Sequence, residues 1–385
     1  MKKTLAAVAI LGAFAGSAMA DVTVYGIVDL GLGYTNVDGV DTVEMKSGMD
    51  SANRVGFMAS EKIGDVTVGV KLENSFNGDD GTDNAPGFFN RETRLYVKGA
   101  YGEVGFGRFG ALDSTTGPYN LAGSSIHATT GINGTGATGV IFLGQNSRLA
   151  NTIAYVSPEF AGVKVYAQYA SDSDNTHESN RYYALGARYK AGALTATLVG
   201  SLEDGADTAA AEASDGFVWL NKDTGVFTPN TQGYDKDNKK HAVVYGNVAK
   251  DAAKGEETKA VTAAVSYDFG VTKLMAAAQY FDNVKAKISA LAADTQKEVT
   301  VDGFGVTMGA VTPLAGGKLV TQVGYMDSET EDDVKYDAWN VGALYYYDLS
   351  KRTTVYGGLG YTVRGEENVE DYKVVNGALG MIHKF

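Results

Sequence analysis

Charge that could act on a passing solute is concentrated at four arginines and one aspartate. Arg94, Arg108 and Arg148 flank residues 111–145, a long stretch whose single acidic residue is Asp113, and Arg54 precedes them on an alternating segment. A guanidinium stays protonated at any working pH and presents five donors in a fixed fork, so a set of them attracts and orients anions without making or breaking a bond. The same arginines could be locked in salt bridges with Glu92, Asp113 or other acids and only brace the structure; the two roles are compatible. Residue types suited to a reaction are not arranged for one. There is no cysteine, and His127, His177, His241 and His383 are scattered without the spacing of a zinc site. Carboxylate pairs such as Glu256 with Glu257 and Glu366 with Glu367 fall in polar stretches that read as solvated loops. Such loops could bind divalent cations, but no ligand set stands out. Residues 105–110 match G-x-G-x-x-G, yet that fingerprint needs a helix to follow, and residues 111–118 have no helical period. No enzyme activity and no cofactor are expected.

The elements that must hold these charges are strands. Gly (49) and Tyr (23) are abundant while Pro (5) is scarce, as suits a chain that is nearly all sheet, where proline removes a ladder donor. Period-two alternation recurs after each turn. Val22, Val24, Val28 and Leu30 share one face; so do Val55, Phe57 and Ala59, then Trp339, Val341, Ala343, Tyr345 and Tyr347, then Val355, Leu359, Tyr361 and Val363. Arg54, Arg94 and Arg148 lie opposite the apolar faces of their strands. Arg108 groups with Val104 and Phe106 under strict alternation, so either the alternation breaks at Gly107 in a bulge or the side chain snorkels to an interface.

Address and loop pattern narrow the class. Lys2 and Lys3, the apolar run 5–15 and the small residues Ala18 and Ala20 describe a secretory signal peptide over residues 1–20, leaving 21–385 as a single barrel domain. Removing its two lysines takes the net charge from −13 to about −15, which argues against nucleic acid, where a basic footprint is expected. No later apolar run is long enough for a membrane helix, but membrane barrel strands are short and alternating and show no such run. Short connections (64–65, 101–102, 158–162, 191–192, 269–270, 313–317, 349–350) alternate with long polar ones (35–50, 77–87, 111–145, 171–178, 203–257, 282–298, 328–335, 365–370), the pattern of an outer-membrane barrel. Counting between them gives about 16 antiparallel strands. Residues 203–257 hold either a hairpin standing above the membrane or two more wall strands, and their polar flanks favour the hairpin. Structureless loops as long as 111–145 carry function when they occur in compact folds, and we expect this one to enter the barrel and narrow it.

At residues 22–29, 54–57, 89–97, 107–108, 148–158, 349–353 and 383–385 the chain resembles the Gram-negative general porins, in particular those of beta-proteobacteria and Neisseria. The resemblance implies a 16-stranded transmembrane β-barrel, a homotrimer, a third long loop folded into the lumen, and a final strand whose terminal Phe385 is read by the outer-membrane assembly machinery. It places Arg108 toward the pore. The inward loop departs from the family's Pro-Glu-Phe-Gly pattern: residues 118–123 read Pro-Tyr-Asn-Leu-Ala-Gly, without the glutamate. The expected function is a water-filled channel for passive diffusion of small hydrophilic solutes and ions, its constriction set by Arg54, Arg94, Arg108, Arg148 and Asp113 and preferring anions. A substrate-specific channel and a non-conducting structural or adhesive barrel are the alternatives.

Overall fold

A computed structural model describes residues 21–37, 39–121, 140–171, 181–205, 217–221, 227–229, 240–244, 257–286 and 299–385. The expected leader, residues 1–20, lies outside them. Among the described residues the regular structure is all strand, and no helix is long and apolar enough to cross a membrane.

The first half of the wall is built by β1 (Asp21–Val37), β2 (Val40–Ser47), β3 (Arg54–Ile63), β4 (Val66–Ser75), β5 (Glu92–Gly99), β6 (Gly102–Gly110), β7 (Arg148–Val156), β8 (Val163–Ala170), β9 (Tyr182–Ala191) and β10 (Leu194–Glu203). Three short strands, β11 (Phe217–Asn221), β12 (Phe227–Pro229) and β13 (Lys240–Val244), pair only with one another. The wall resumes with β14 (Thr258–Asp268), β15 (Lys273–Ala286), β16 (Val299–Leu314), β17 (Gly317–Glu329), β18 (Lys335–Asp348), β19 (Thr353–Glu366) and β20 (Tyr372–Lys384). Each is antiparallel to its neighbours, and β10 pairs directly with β14, so the described strands between them add nothing to the wall. β1 closes on β20 from Ile27 opposite Lys384 to Val37 opposite Val374. Closure removes the open edge that hydrocarbon could not satisfy.

β2 and β3 share one edge of β1 and together make a single wall position, so the barrel has sixteen. β2 covers the upper part of β1, from Leu30 opposite Ser47, and β3 the lower part, from Ile27 opposite Arg54. Residues 48–53 between them leave the sheet where β1 spends only Val28 and Asp29. The stretch 35–50, expected as a loop, is therefore mostly hairpin. Its charges hid the pairing: Asp41 accepts hydrogen bonds from the Tyr34 hydroxyl (2.6 Å) and the Asn36 amide (2.7 Å).

The wall is inverted relative to a soluble sheet. Along β18, Trp339, Val341 and Tyr347 are exposed to the outside, while Asn340 and Leu344 are fully buried inside. Buried Gln168, Thr262, Gln279, Thr307 and Thr362 likewise alternate with exposed apolar residues such as Val165, Val261, Tyr280, Val306 and Leu359. Apolar out and polar in is the alternation a lipid-embedded barrel requires. The tight turns lie at one end: Gly64 and Gly192 adopt positive φ there, a conformation closed to most side chains.

Candidate functional site

Both arms of the 111–145 strap lie inside the barrel. The first arm packs Ala111, Leu112, Tyr119 and Leu121 against Ala154, Tyr166, Tyr182 and Val199 of β7 to β10. The second packs Val140, Ile141 and Phe142 against Ala260, Ala277, Phe281, Val301 and Met326 of β14 to β17. Polar side chains of the wall fasten the strap's backbone. Gln168 accepts from Leu112 N (2.7 Å) and donates to the Gly110 carbonyl (3.2 Å); Gln279 accepts from Gly144 N (2.9 Å); Arg188 Nη2 donates to the carbonyls of Tyr119 (2.9 Å) and Asn120 (3.0 Å). Small wall residues make the room. A Cβ on Gly305 would run into the Ile141 carbonyl oxygen, and one on Gly186 into Leu121. Residues 122–139, the middle of the strap, lie outside the described residues, as does His127.

Asp113 sits at the foot of the first arm, 1 % exposed, facing the wall. It lies beside Ser201, Tyr182 and Asn146, yet neither carboxylate oxygen completes a hydrogen bond of normal geometry. Burial pushes its carboxyl up to about 6, against the opposing effect of those polar neighbours.

The arginines divide into two groups. Arg54, on the inner face at the start of β3, lies within electrostatic reach of Arg91 and Glu73. Arg148 is within reach of Arg54, Arg91, Arg108 and Glu73. Arg108 donates from Nε to the Asn90 carbonyl (3.1 Å) beside a register slip between Gly107 and Phe109, where Gly107 takes φ +126°. The alternation thus does break at Gly107. Among the described residues no carboxylate lies within ion-pair distance of Arg54, Arg108 or Arg148.

Arg94 belongs to a different set. Its guanidinium is held by Glu92 (2.8 Å) and Glu103 (2.7 Å) and lies over the Tyr96 ring, with the Tyr119 hydroxyl of the strap at 3.5 Å. That is the bracing geometry, and it ties the wall to the strap. Sequence reasoning passed over four members of this wall, Glu103 and three others. Arg91 pairs with Glu73 (2.6 Å), and Lys71 spans Glu92 (2.8 Å) and Glu73 (3.4 Å). Lys71 and Glu73 were legible, since they alternate with Val68, Val70 and Leu72; Arg91 precedes its strand and has no parity to read. In all, six cations (Arg54, Lys71, Arg91, Arg94, Arg108, Arg148) share this sector with three carboxylates (Glu73, Glu92, Glu103).

Phe385 completes the closing seam. Gly26 N donates to the Phe385 carbonyl (3.0 Å), Phe385 N donates to the Gly26 carbonyl (3.1 Å), and the aromatic ring lies on the bare Gly26 α-carbon.

Comparison with known proteins agrees with this architecture. The profile of the Gram-negative porin family matches residues 5–367. Outer membrane porin protein 32 of Delftia acidovorans is 29 % identical over 377 residues, covering 94 % of this chain and 89 % of that one. Among solved structures, an anion-selective porin from Comamonas acidovorans superposes with a TM-score of 0.66 at 24 % identity, covering 95 % of this chain and all of the other. OmpT of Vibrio cholerae in a trimer form superposes with a TM-score of 0.58 at 15 % identity, covering 96 % of this chain and all of that one. A sixteen-position barrel with a strap docked inside it, together with a family profile spanning nearly its whole length, identifies this chain as a member of the Gram-negative porin family, a channel protein of the outer membrane.

Proposed function

We propose that this porin passes small hydrophilic solutes and ions by passive diffusion and favours anions at its narrowest level. The observation that carries the reading is the cluster of Arg54, Arg108 and Arg148 on the inner wall with no ion-paired carboxylate among the described residues. A fixed surplus of positive charge between low-dielectric walls concentrates anions and repels cations. The two described arms of the strap, packed against β7 to β10 and β14 to β17, supply size exclusion. The fold-matched Comamonas porin bears the description anion-selective, which agrees with the arginine placement. No reacting group is needed for this task, and no catalytic role is assigned.

The working unit is a homotrimer, in line with the trimer form of the fold-matched OmpT, seated among outer-membrane lipid and lipopolysaccharide. Assembly machinery reads the last strand and Phe385, whose pairing with Gly26 then completes the seam. The test is the reversal potential of the purified protein in a planar bilayer across a KCl gradient. Anion preference with discrete conductance steps is expected; clear cation preference would refute the selectivity, and absence of steps would refute the channel.

A further inference from the structure

The second inward segment, residues 48–53, is as firmly held as the strap, and it ends on Arg54. Asp29, on the inner face of β1 and fully buried, is its anchor. One carboxylate oxygen, Oδ2, accepts from Asp50 N (2.8 Å) and Ser51 N (2.7 Å); Oδ1 accepts from the Tyr356 hydroxyl (2.7 Å). The Asp29 amide donates to Asn53 Oδ1, and Asn53 Nδ2 donates in turn to Ser47 Oγ. The segment reaches across the closing seam to β18 and β19: the Tyr346 hydroxyl donates to Asp50, and Met49 is buried with Leu344, Tyr346 and Tyr356. A buried carboxylate is costly unless its oxygens are satisfied, and here three donors converge on it.

This turn also orients a guanidinium. Arg54 donates from Nε to the Ala52 carbonyl (2.9 Å) and from Nη2 to Ser51 Oγ (3.0 Å). With no ion-paired acid among the described residues, these contacts to the turn are what aim it. The Ser51 amide is clamped by Asp29 while its hydroxyl holds Arg54, so the carboxylate and the guanidinium are joined through one residue. We propose that Asp29 is a positioning residue for Arg54: by pinning residues 50–51 it holds the guanidinium toward the lumen and so contributes to ion preference. The inference rests on the anion-preferring reading of the pore.

The sign of the effect separates this role from a direct one. Were Asp29 acting through its own charge, removing that charge would raise anion preference. If it acts by aiming Arg54, Asp29→Asn lowers anion preference, because a neutral amide oxygen accepts the Asp50 and Ser51 N–H groups without charge assistance and loosens the turn. The experiment measures reversal potentials at 0.1 M KCl for full-length wild type, Arg54→Gln, Asp29→Asn, Tyr356→Phe and the Asp29→Asn/Arg54→Gln double variant. The folded state of each is checked by its heat-modifiable electrophoretic mobility. Arg54→Gln should lower the anion-to-cation permeability ratio about threefold, Asp29→Asn about twofold in the same direction, and the double variant no further than Arg54→Gln alone. Tyr356→Phe keeps every charge and should move the ratio the same way by a smaller factor; it decides the question if Asp29→Asn does not fold. An unchanged or raised ratio in Asp29→Asn, an unchanged ratio in Tyr356→Phe where Asp29→Asn does not fold, or an Asp29→Asn effect that persists at full size beside Arg54→Gln overturns the positioning role. An unmoved ratio in Arg54→Gln overturns Arg54's part in selectivity and Asp29's role with it, whereas cation preference in the wild type overturns the anion-preferring reading itself.

Discussion

Replacing Arg148 with Gln should lower the anion-to-cation permeability ratio about threefold in 0.1 M salt, and Arg148→Glu about sevenfold. A monovalent ion passing about 7 Å from the guanidinium in water-like dielectric gains or loses roughly 0.6 kcal/mol, which screening at 0.1 M reduces by about half. About 0.3 kcal/mol changes the local anion and cation concentrations by roughly 1.6-fold each in opposite directions, hence the factor of about three in their ratio, squared for the charge reversal. Arg148 suits this test because no carboxylate of the described residues is paired with it, so its removal orphans no buried acid. The assay is the reversal potential at 0.1 M, repeated at 1 M, where a Debye length of about 3 Å should erase most of the effect. A ratio indifferent to Arg148→Glu at low salt would show that the residue faces no permeant ion. An equal shift at both salts would show that the change acts through pore shape instead.

Two further outcomes test the strap. Gly305→Val places side-chain atoms where the Ile141 carbonyl now lies, an overpacking expected to cost about 1 to 3 kcal/mol of strap docking. Single-channel conductance should rise or become noisy; an unchanged conductance would mean that the second arm does not obstruct flow. Asp113 makes docking depend on pH. Its carboxyl is raised from the ordinary 3.8 to about 6 when buried, so the docked strap prefers the protonated form. The resulting stabilisation is complete below about pH 4 and is lost as pH rises through about 6, by roughly 3 kcal/mol at most. Proteolysis of the strap should therefore be faster at pH 8 than at pH 5 in wild type and independent of pH in Asp113→Asn, and equal rates in wild type would refute the assignment.

How far the site could be read in advance depended on whether a residue's neighbours are local. The β18 residues from Trp339 to Tyr347 show their outward face directly, because each apolar residue is two from the next. Arg54 and Arg94 were placed inside by the same rule. The rule failed to separate them: that Arg94 is neutralised while Arg54 is not depends on Glu103, reached across the β5–β6 turn, and on the 48–53 turn. Arg108 was ambiguous because a bulge at Gly107 changes the count without changing composition. The strap's docking was least visible, since Gln279 meets Gly144 across 135 positions and Gln168 meets Leu112 across 56. Such polar anchors look like any other inward residue. Gly305 and Gly186 carried a usable signal, bare α-carbons facing the lumen, but only a known path for the strap explains them.

Much of the chain's acidic balance does not compete with the proposed basic constriction, because those acids sit at a different height from Arg54. Arg54 is opposite Ile27, ten residues below the Val37 end of β1. Ten extended residues span roughly 33 Å along the strand. Exposed acids such as Glu331, Asp332, Asp333 and Glu367 lie in the connections beyond strand ends. At 0.1 M ionic strength the Debye length is about 10 Å, so a rim charge some three lengths away is felt at mid-lumen only weakly, whereas Arg91 and Arg148 are close enough to act on Arg54 directly. Rim acids set how an ion approaches the mouth and how the surface meets neighbouring lipid. On the proposed reading, selection belongs to the few charged side chains on the inner wall, where low-dielectric surroundings strengthen their field. The local count of six cations to three carboxylates, and not the net charge of the chain, sets the preferred ion on that reading.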